Sequence, residues 1–380
     1  GRVSAEEVRA ERDSPAADVS AMDGYAVRSG AVVSAIEQNG SVELPVAFEV
    51  ITGQTPEALP PESCVRVFTG GVVPRHADVV IPRELVRECP DFIAISNATL
   101  ETIASAKNIR RQGQNAKAGQ SLLPEGSPLT PAAVATLAAN GYAAVEVRRR
   151  VKVGIAVSGN EVASVSRDDL HDAAVRDANG PALRALLATA PWLEVVDVVP
   201  LPDELETTRR KLAQMADRCD VIVTTGGVSM GDHDVIPDAL IKLGGEVVYH
   251  HLSMRPGKPN LGVMLPEGMC VVALPGNPVS ALVGAVILAG PVLRRCAGLS
   301  SDVRPARVEI ESGPVPSRPA SFRQFVPATL TPRGTLTPLA HQGSGDVAAI
   351  GAADGCFEVP PGQQAFDESW RYWHPWRISP

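Results

Sequence analysis

The apolar run Val221-Ile222-Val223-Thr224-Thr225 leads straight into Gly226-Gly227-Val228-Ser229-Met230-Gly231-Asp232-His233-Asp234. Glycines at 226, 227 and 231 let backbone N–H groups approach a ligand closely, and Ser229 adds a hydroxyl. Placed after a strand and before a helix, such a loop suits phosphate or another oxyanion. Asp232 and Asp234 set carboxylates beside that anion, an arrangement that calls for a bridging divalent cation such as Mg²⁺. The same residues also read as a glycine turn followed by an aspartate helix cap.

A second loop of this kind is Pro275-Gly276-Asn277-Pro278-Val279-Ser280-Ala281. Here Asn277 fits a helix N-cap, Pro278 the first helical position, and Ser280 a hydroxyl in the first turn. Between the two loops, Arg255-Pro256-Gly257-Lys258-Pro259 carries two cations stiffened by prolines, with His250 and His251 upstream. Fixed cations suggest a bound anion, a solvated basic loop being the alternative. A third loop, Ser158-Gly159-Asn160-Glu161, offers a carboxylate able to serve a metal or a ligand hydroxyl. Near the start, Ser20-Ala21-Met22-Asp23-Gly24-Tyr25-Ala26-Val27 reads as an Asx-turn at Asp23.

These loops need a scaffold that brings them together. From 151 to 299 the pattern alternates: strands at 151–157, 193–199, 220–225, 246–250 and 270–274, and helices at 181–190, 203–217, 234–243 and 278–296. Continuous Val/Ile runs between helices predict a parallel sheet covered on both faces, with ligands beyond the carboxyl ends of its strands. Residues 32–120 hold short apolar runs split by turn formers, a β-rich pattern, and Thr130-Pro131 to Gly141 is a capped helix with a glycine stop. Short strands among prolines after 300 suggest a small β domain, and Trp370, Trp373 and Trp376 read as a packing anchor.

The 380 residues suggest two or three domains at about 150 residues each. With 35 Lys+Arg against 43 Asp+Glu the net charge is −8, which argues against nucleic acid as the main partner, so an anionic ligand needs a local site. The apolar stretch 279–293 is interrupted by Gly284, Gly290 and Pro291 and is shorter than the roughly 20 residues of a membrane span. No membrane partner is expected. Six scattered cysteines without a CxxC read as reduced thiols and point to the cytoplasm. The chain opens Gly1-Arg2-Val3, with neither a methionine nor a leader pattern, so its natural beginning is expected upstream.

Taken together, the segments resemble the molybdopterin molybdenumtransferase family, the MoeA and gephyrin E-domain type. The matching stretches are 20–27, Thr69-Gly70 with Asp78 and Glu84, 158–161, Asp177-Ala178-Asn179, 226–234, 255–259, Leu274 to Ala281, and Gly343-Ser344-Gly345, in family order. The resemblance implies a central doubly wound α/β domain of the molybdopterin-binding, MogA-like kind at 151–299. Around it come a β-rich inserted domain at 31–120, an extended N-terminal domain at 1–30 plus 121–150, and a C-terminal small β-barrel at 300–380. It implies a homodimer that takes adenylylated molybdopterin from a molybdopterin adenylyltransferase and, with Mg²⁺ and molybdate, inserts the metal and releases AMP.

By the same resemblance Asp234, Glu161 and Asp203 act on Mg²⁺ or the pyrophosphate, with Asp232 as a further metal ligand. Gly226, Gly227, Ser229, Gly231, Pro275, Gly276 and Asn277 cradle the pterin nucleotide. Arg255, Lys258, Ser280, Arg323 and Ser344 hold molybdate, with His251 close by. Asp23 and Thr69 are expected to complete the cleft of the partner subunit. Three departures stand out: Arg255 where lysine is usual, His251 where a stronger base is common, and Asn160 in place of an aspartate. Two rival readings are a molybdopterin adenylyltransferase-like enzyme and a non-catalytic scaffold of the gephyrin kind. The flanking β domains argue against the first and the retained carboxylates against the second.

Overall fold

The computed structural model describes residues 1–104, 108–164, 166, 172, 174–228, 234–299, 305–311, 313 and 321–378, and the elements below are those of the described residues. The chain divides into two compact units, one of residues 7–125 and 131–145, the other of residues 1–6, 126–130 and 146–380.

The first unit is built on β1 (Gly24–Val27), α1 (Ser29–Asn39), β2 (Ser41–Glu49), β3 (Cys64–Val67), β4 (Val79–Pro82), β5 (Arg87–Glu88) and β6 (Phe92–Ser96), with α2 (Pro131–Ala139) further along. Its sheet runs β4-β1-β3-β2-β6-β5. Strand β1 is buried along its whole length, and a Cβ at Gly24 would collide with the Ile81 carbonyl, so only glycine lets β1 and β4 approach. Helix α1 had no counterpart in the β-rich reading of this region. It forms because Val32 and Ile36, one turn apart, pack on Tyr25, Ile81 and Ile93, and it stops at Gly40, whose φ of 75° donates its N–H to the Ile36 carbonyl.

The second unit contains β7 (Val151–Ser158), α3 (Asn179–Ala188), β8 (Leu193–Leu201), α4 (Leu205–Ala216), β9 (Val221–Thr225), α5 (Ile236–Lys242), β10 (Glu246–His250), β11 (Met254–Arg255), β12 (Leu261–Met264) and β13 (Cys270–Leu274). The sheet order is β8-β7-β9-β13-β12-β10. Alternate residues of the central strands feed two cores. Val153, Ile155 and Val223 pack with Leu183, Leu187 and Leu293 on one face; Ala156, Ile222 and Val271 pack with Leu212, Ile236 and Leu240 on the other. The sheet is not purely parallel, as the apolar runs suggest: β12 is antiparallel to β13 and β10 antiparallel to β12. The short turn at Pro266–Gly268 reverses the chain between β12 and β13, and a reversal that tight makes antiparallel neighbours. Strand β12 went unread because its four residues include Gly262, which Tyr249 covers.

After β13 the helix α6 (Pro278–Cys296) runs unbroken past Gly284, Gly290 and Pro291 for 19 residues. It absorbs the proline through a π-turn at Ala285–Ala289, since Pro291 has no N–H and crowds the carbonyl of residue 287. By length and composition α6 could cross a membrane, contrary to the expected break. Its apolar face is instead taken up by the core, with Val279, Val283, Ala285, Ala289 and Leu293 buried.

The C-terminal strands are β14 (Arg307–Glu309), β15 (Arg323–Leu330), β16 (Leu336–Pro338), β17 (Gly355–Val359) and β18 (Trp370–Pro375), with the short helix α7 (Val347–Ile350). They pair in the order β11-β15-β17-β18-β14, with β16 on the other side of β15. A bridge between Ile310 and Leu336 brings the β14 end back to β16 and closes the ring around Phe357, Val326 and Trp373. Trp373 and Trp376 serve as anchors, whereas Trp370 is half exposed at 49%.

Candidate active site

The carboxyl ends of β7, β9 and β13 open on a cleft of about 740 Å³. Its walls include Glu161, Asp203, Gly226, Gly227, Asp234 and Gly276, so three separate loops meet there as their positions after parallel strands predict. Gly226 and Gly227 take φ of 84° and 64°, and a Cβ at Gly226 would lie 2.7 Å from the Ser158 carbonyl oxygen. The second loop therefore touches the first through bare backbone, which no other residue type permits. Ser229, Gly231 and Asp232 lie outside the described residues.

Two polar clamps hold the loops. Asp203 accepts from the Asn160 backbone N–H at 3.0 Å and the Ser158 hydroxyl at 3.4 Å, while its own N–H donates to the Asn160 side-chain oxygen at 3.3 Å. Asn160 is thus a fastener of the loop that carries Glu161. The other clamp is Asn179, buried at the start of α3, whose amide donates to the Thr225 hydroxyl and the Gly276 carbonyl, both at 2.7 Å. Thr225 in turn donates to the Pro275 carbonyl at 2.9 Å. This buried pair sets the spacing between the two glycine loops, and the sequence reading assigned it no role. Its sequence signals are a polar side chain between a strand and a helix and the place of Asn179 in the matching stretch Asp177-Ala178-Asn179.

Asn277 occupies the N-cap position of α6 but does not cap it; its amide reaches the Ser344 hydroxyl at 2.9 Å. The Val279 N–H donates to the Ser344 carbonyl at 3.1 Å, which docks the loop around 344 on the first turn of α6. A second cavity of about 450 Å³ opens here, lined by Arg255, Lys258, Asn277, Ser280, Gln324 and Ser344 among others. Pro259, Pro275 and Asn277 border both cavities, so the two adjoin.

Arg255 and Lys258 have no carboxylate partner among the described residues; their charged groups sit 4.7 and 5.8 Å from the centroid of the same Phe322 ring. Buried Asn260 shapes their loop by donating to the Gly257 carbonyl at 2.6 Å. Two expected members are placed differently. Arg323 points away from this cavity and pairs with Glu358, because it sits on the opposite face of β15 from Gln324. His251, with φ of 58°, stacks on His250 at 3.8 Å, and burial together with the charges of His250 and Lys258 holds its pKa below the ordinary 6.5. It is uncharged at neutral pH.

In the other unit the Asp23 carboxylate accepts from the Thr69 N–H at 2.8 Å and the Thr69 hydroxyl at 2.9 Å. These bonds, the backbone one foremost, lower its pKa. The expected Asx-turn is absent, since Gly24 already begins β1 and the carboxylate reaches across 46 residues of sequence. Among the described residues no group of three or more His, Cys, Asp or Glu could hold a metal ion.

Comparison with known proteins identifies the family. Residues 1–141 match the MoeA N-terminal region (domain I and II), and residues 154–295 match the family described as "Probable molybdopterin binding domain". The chain is 31% identical over 366 residues to the molybdopterin molybdenumtransferase of Staphylococcus aureus (strain Mu50 / ATCC 700699), covering 95% of this chain and 85% of that relative. The relative of the same name from Synechococcus elongatus is 32% identical over 366 residues, with 95% and 88% covered. Among solved structures, the molybdopterin biosynthesis MoeA protein from Pyrococcus horikoshii OT3 matches at a TM-score of 0.79 and 26% identity, covering 99% of this chain and 90% of that one.

Proposed function

The chain belongs to the molybdopterin molybdenumtransferase family, and we propose that it completes the molybdenum cofactor by inserting molybdenum from molybdate into adenylylated molybdopterin, with release of AMP. The observation that carries this reading is the pair of adjoining cavities, one lined by glycine loops and carboxylates, the other by two cations that have no carboxylate partner among the described residues. The first suits a pterin nucleotide, whose phosphates approach the bare backbone at Gly226, Gly227 and Gly276. The second suits a tetrahedral dianion, matched in charge by Arg255 and Lys258 and offered hydrogen bonds by Ser280 and Ser344. A shared wall of Pro259, Pro275 and Asn277 keeps the metal oxyanion beside the dithiolene that captures it.

A Mg²⁺ ion fits the donor set of the larger cavity. Glu161 and Asp234 line it together with Asp203, which is tied to Asn160, and Asp177, which accepts from the Gly180 N–H; Mg²⁺ typically takes one or two carboxylates plus substrate phosphates and water. When bound, the ion neutralises charge that develops as the phosphoanhydride is cleaved. Glu161 and Asp234 would hold it, and Asp203 keeps the Glu161 loop in place through Asn160. A homodimer, a cytoplasmic setting, delivery of the substrate by a molybdopterin adenylyltransferase, and a substrate-binding role for Asp23 and Thr69 belong to the same proposal.

The test is AMP release from adenylylated molybdopterin with Mg²⁺, with and without molybdate or tungstate, paired with reconstitution of a cofactor-free molybdoenzyme. Molybdate-dependent AMP release together with active cofactor is expected. Folded protein that releases no AMP under any of these conditions would overturn the reading.

A further inference from the structure

We propose that Gln324 is the residue of β15 that contacts the bound oxyanion, and that it sets oxyanion affinity in a site whose positive charge is confined to Arg255 and Lys258. The inference rests on the molybdenumtransferase reading above and deepens it. Strand β11 pairs in parallel with β15, Arg255 opposite Gln324 and Met254 opposite Arg323. Residues opposite one another in adjacent strands share a face, and successive residues alternate. Met254 is buried with Phe325, Val283 and Cys356, and neither Met254 nor Arg323 lines the oxyanion cavity; Arg323 lines a different one, beside Glu358. Arg255 and Gln324 line the cavity together.

The two faces also differ in what their side chains already hold. Arg323 is engaged by Glu358, which lies 3.4 Å from the His374 ring nitrogen, so its charge is spent within the C-terminal strands. The Gln324 amide has no hydrogen-bond partner among the described residues and keeps two N–H donors for a ligand. Phe322 lies just ahead of β15, and its ring faces both cations. Phe322 and Gln324 thus present an aromatic rest for the two charges and one neutral, directional donor. Two positive charges balance a dianion. A neutral third donor adds aim without further charge, which suits a site that must surrender its oxyanion to the pterin during turnover.

The experiment measures molybdate dependence of AMP release, and direct molybdate binding by calorimetry in the absence of pterin, for wild type, Gln324→Ala, Gln324→Arg and Arg323→Ala. Removing a hydrogen bond to a charged ligand should raise the molybdate KM and Kd of Gln324→Ala about tenfold with little change in kcat. Gln324→Arg should lower both constants by about tenfold, because a third cation faces the dianion. Arg323→Ala should leave both within about twofold while the melting temperature falls, as Glu358 loses its partner. Unchanged molybdate constants in Gln324→Ala, or a large rise in Arg323→Ala, would overturn the inference. A wild-type protein that neither binds molybdate nor releases AMP would instead overturn the functional reading beneath it.

Discussion

The larger cavity combines glycine loops with carboxylates, and the smaller one combines two cations with hydroxyl and amide side chains. In the first, Gly226, Gly227 and Gly276 bring main chain to the ligand, and the buried Asn179–Thr225 pair fixes the loops. In the second, Arg255, Lys258, Ser280, Gln324 and Ser344 come from four separate stretches and converge only through strand register and loop docking. A backbone site tolerates little change in residue type at its glycines, while a side-chain site can be retuned one residue at a time. Nucleotide handling should accordingly respond to the first set of residues and oxyanion handling to the second.

The largest effect is expected at the carboxylates. Asp234→Asn should cut AMP release by at least about a hundredfold, with circular dichroism and melting unchanged, because charge stabilisation of the phosphoanhydride is worth several kcal/mol. Wild-type turnover in that variant would break the division of labour at its strongest point. Gly226→Val forces a β-branched residue to positive φ against the Ser158 carbonyl and should cost about 2 kcal/mol or more of stability. Measured below its lowered melting point, it should bind the pterin nucleotide poorly yet retain molybdate binding.

Asn179→Ala leaves the Gly276 carbonyl and Thr225 hydroxyl short of a donor and should cost about 1–3 kcal/mol in denaturant unfolding. Because the amide spaces both glycine loops, it should lower kcat as well. Thr225→Ser, which keeps the hydroxyl, should restore near-normal kinetics where Thr225→Val does not, and equal behaviour of those two would remove the positioning role. The smallest effect concerns pH. His251 has a lowered pKa, so it is neutral at pH 7 and gains charge only as the pH falls below about 6.5. Protonation there adds positive charge beside Lys258, so molybdate binding should tighten modestly toward pH 5.5 in the wild type. In His251→Phe that tightening should be absent, and an identical profile would show that another group titrates.

The same contrast separates what is legible in the sequence from what is not. The glycine loops after β9 and β13 and the Glu161 loop were legible because strand, loop and helix follow one another locally, and the fold rule for parallel strands places them at one edge. In the side-chain site Arg255, Lys258 and the Ser280 hydroxyl were legible locally and Ser344 through the resemblance, whereas the residue contributed by β15 was not. A shift of a single residue along β15 decides whether Arg323 or Gln324 faces the cavity, and parity of that kind depends on pairing with β11, far away in sequence. The antiparallel edge of the sheet, helix α1 and the Asp23–Thr69 pair escaped for a similar reason. Each is decided by tertiary neighbours such as the Pro266–Gly268 turn or the packing of Val32 and Ile36, not by local pattern.

The most direct test of two adjoining sites with separate tasks is calorimetric titration of Arg255→Ala with molybdate and, separately, with adenylylated molybdopterin. The account predicts that the molybdate Kd rises at least about tenfold while the pterin nucleotide Kd stays within about twofold of wild type. Equal loss of both ligands in a folded variant would contradict it, since the two cavities would then act as a single site.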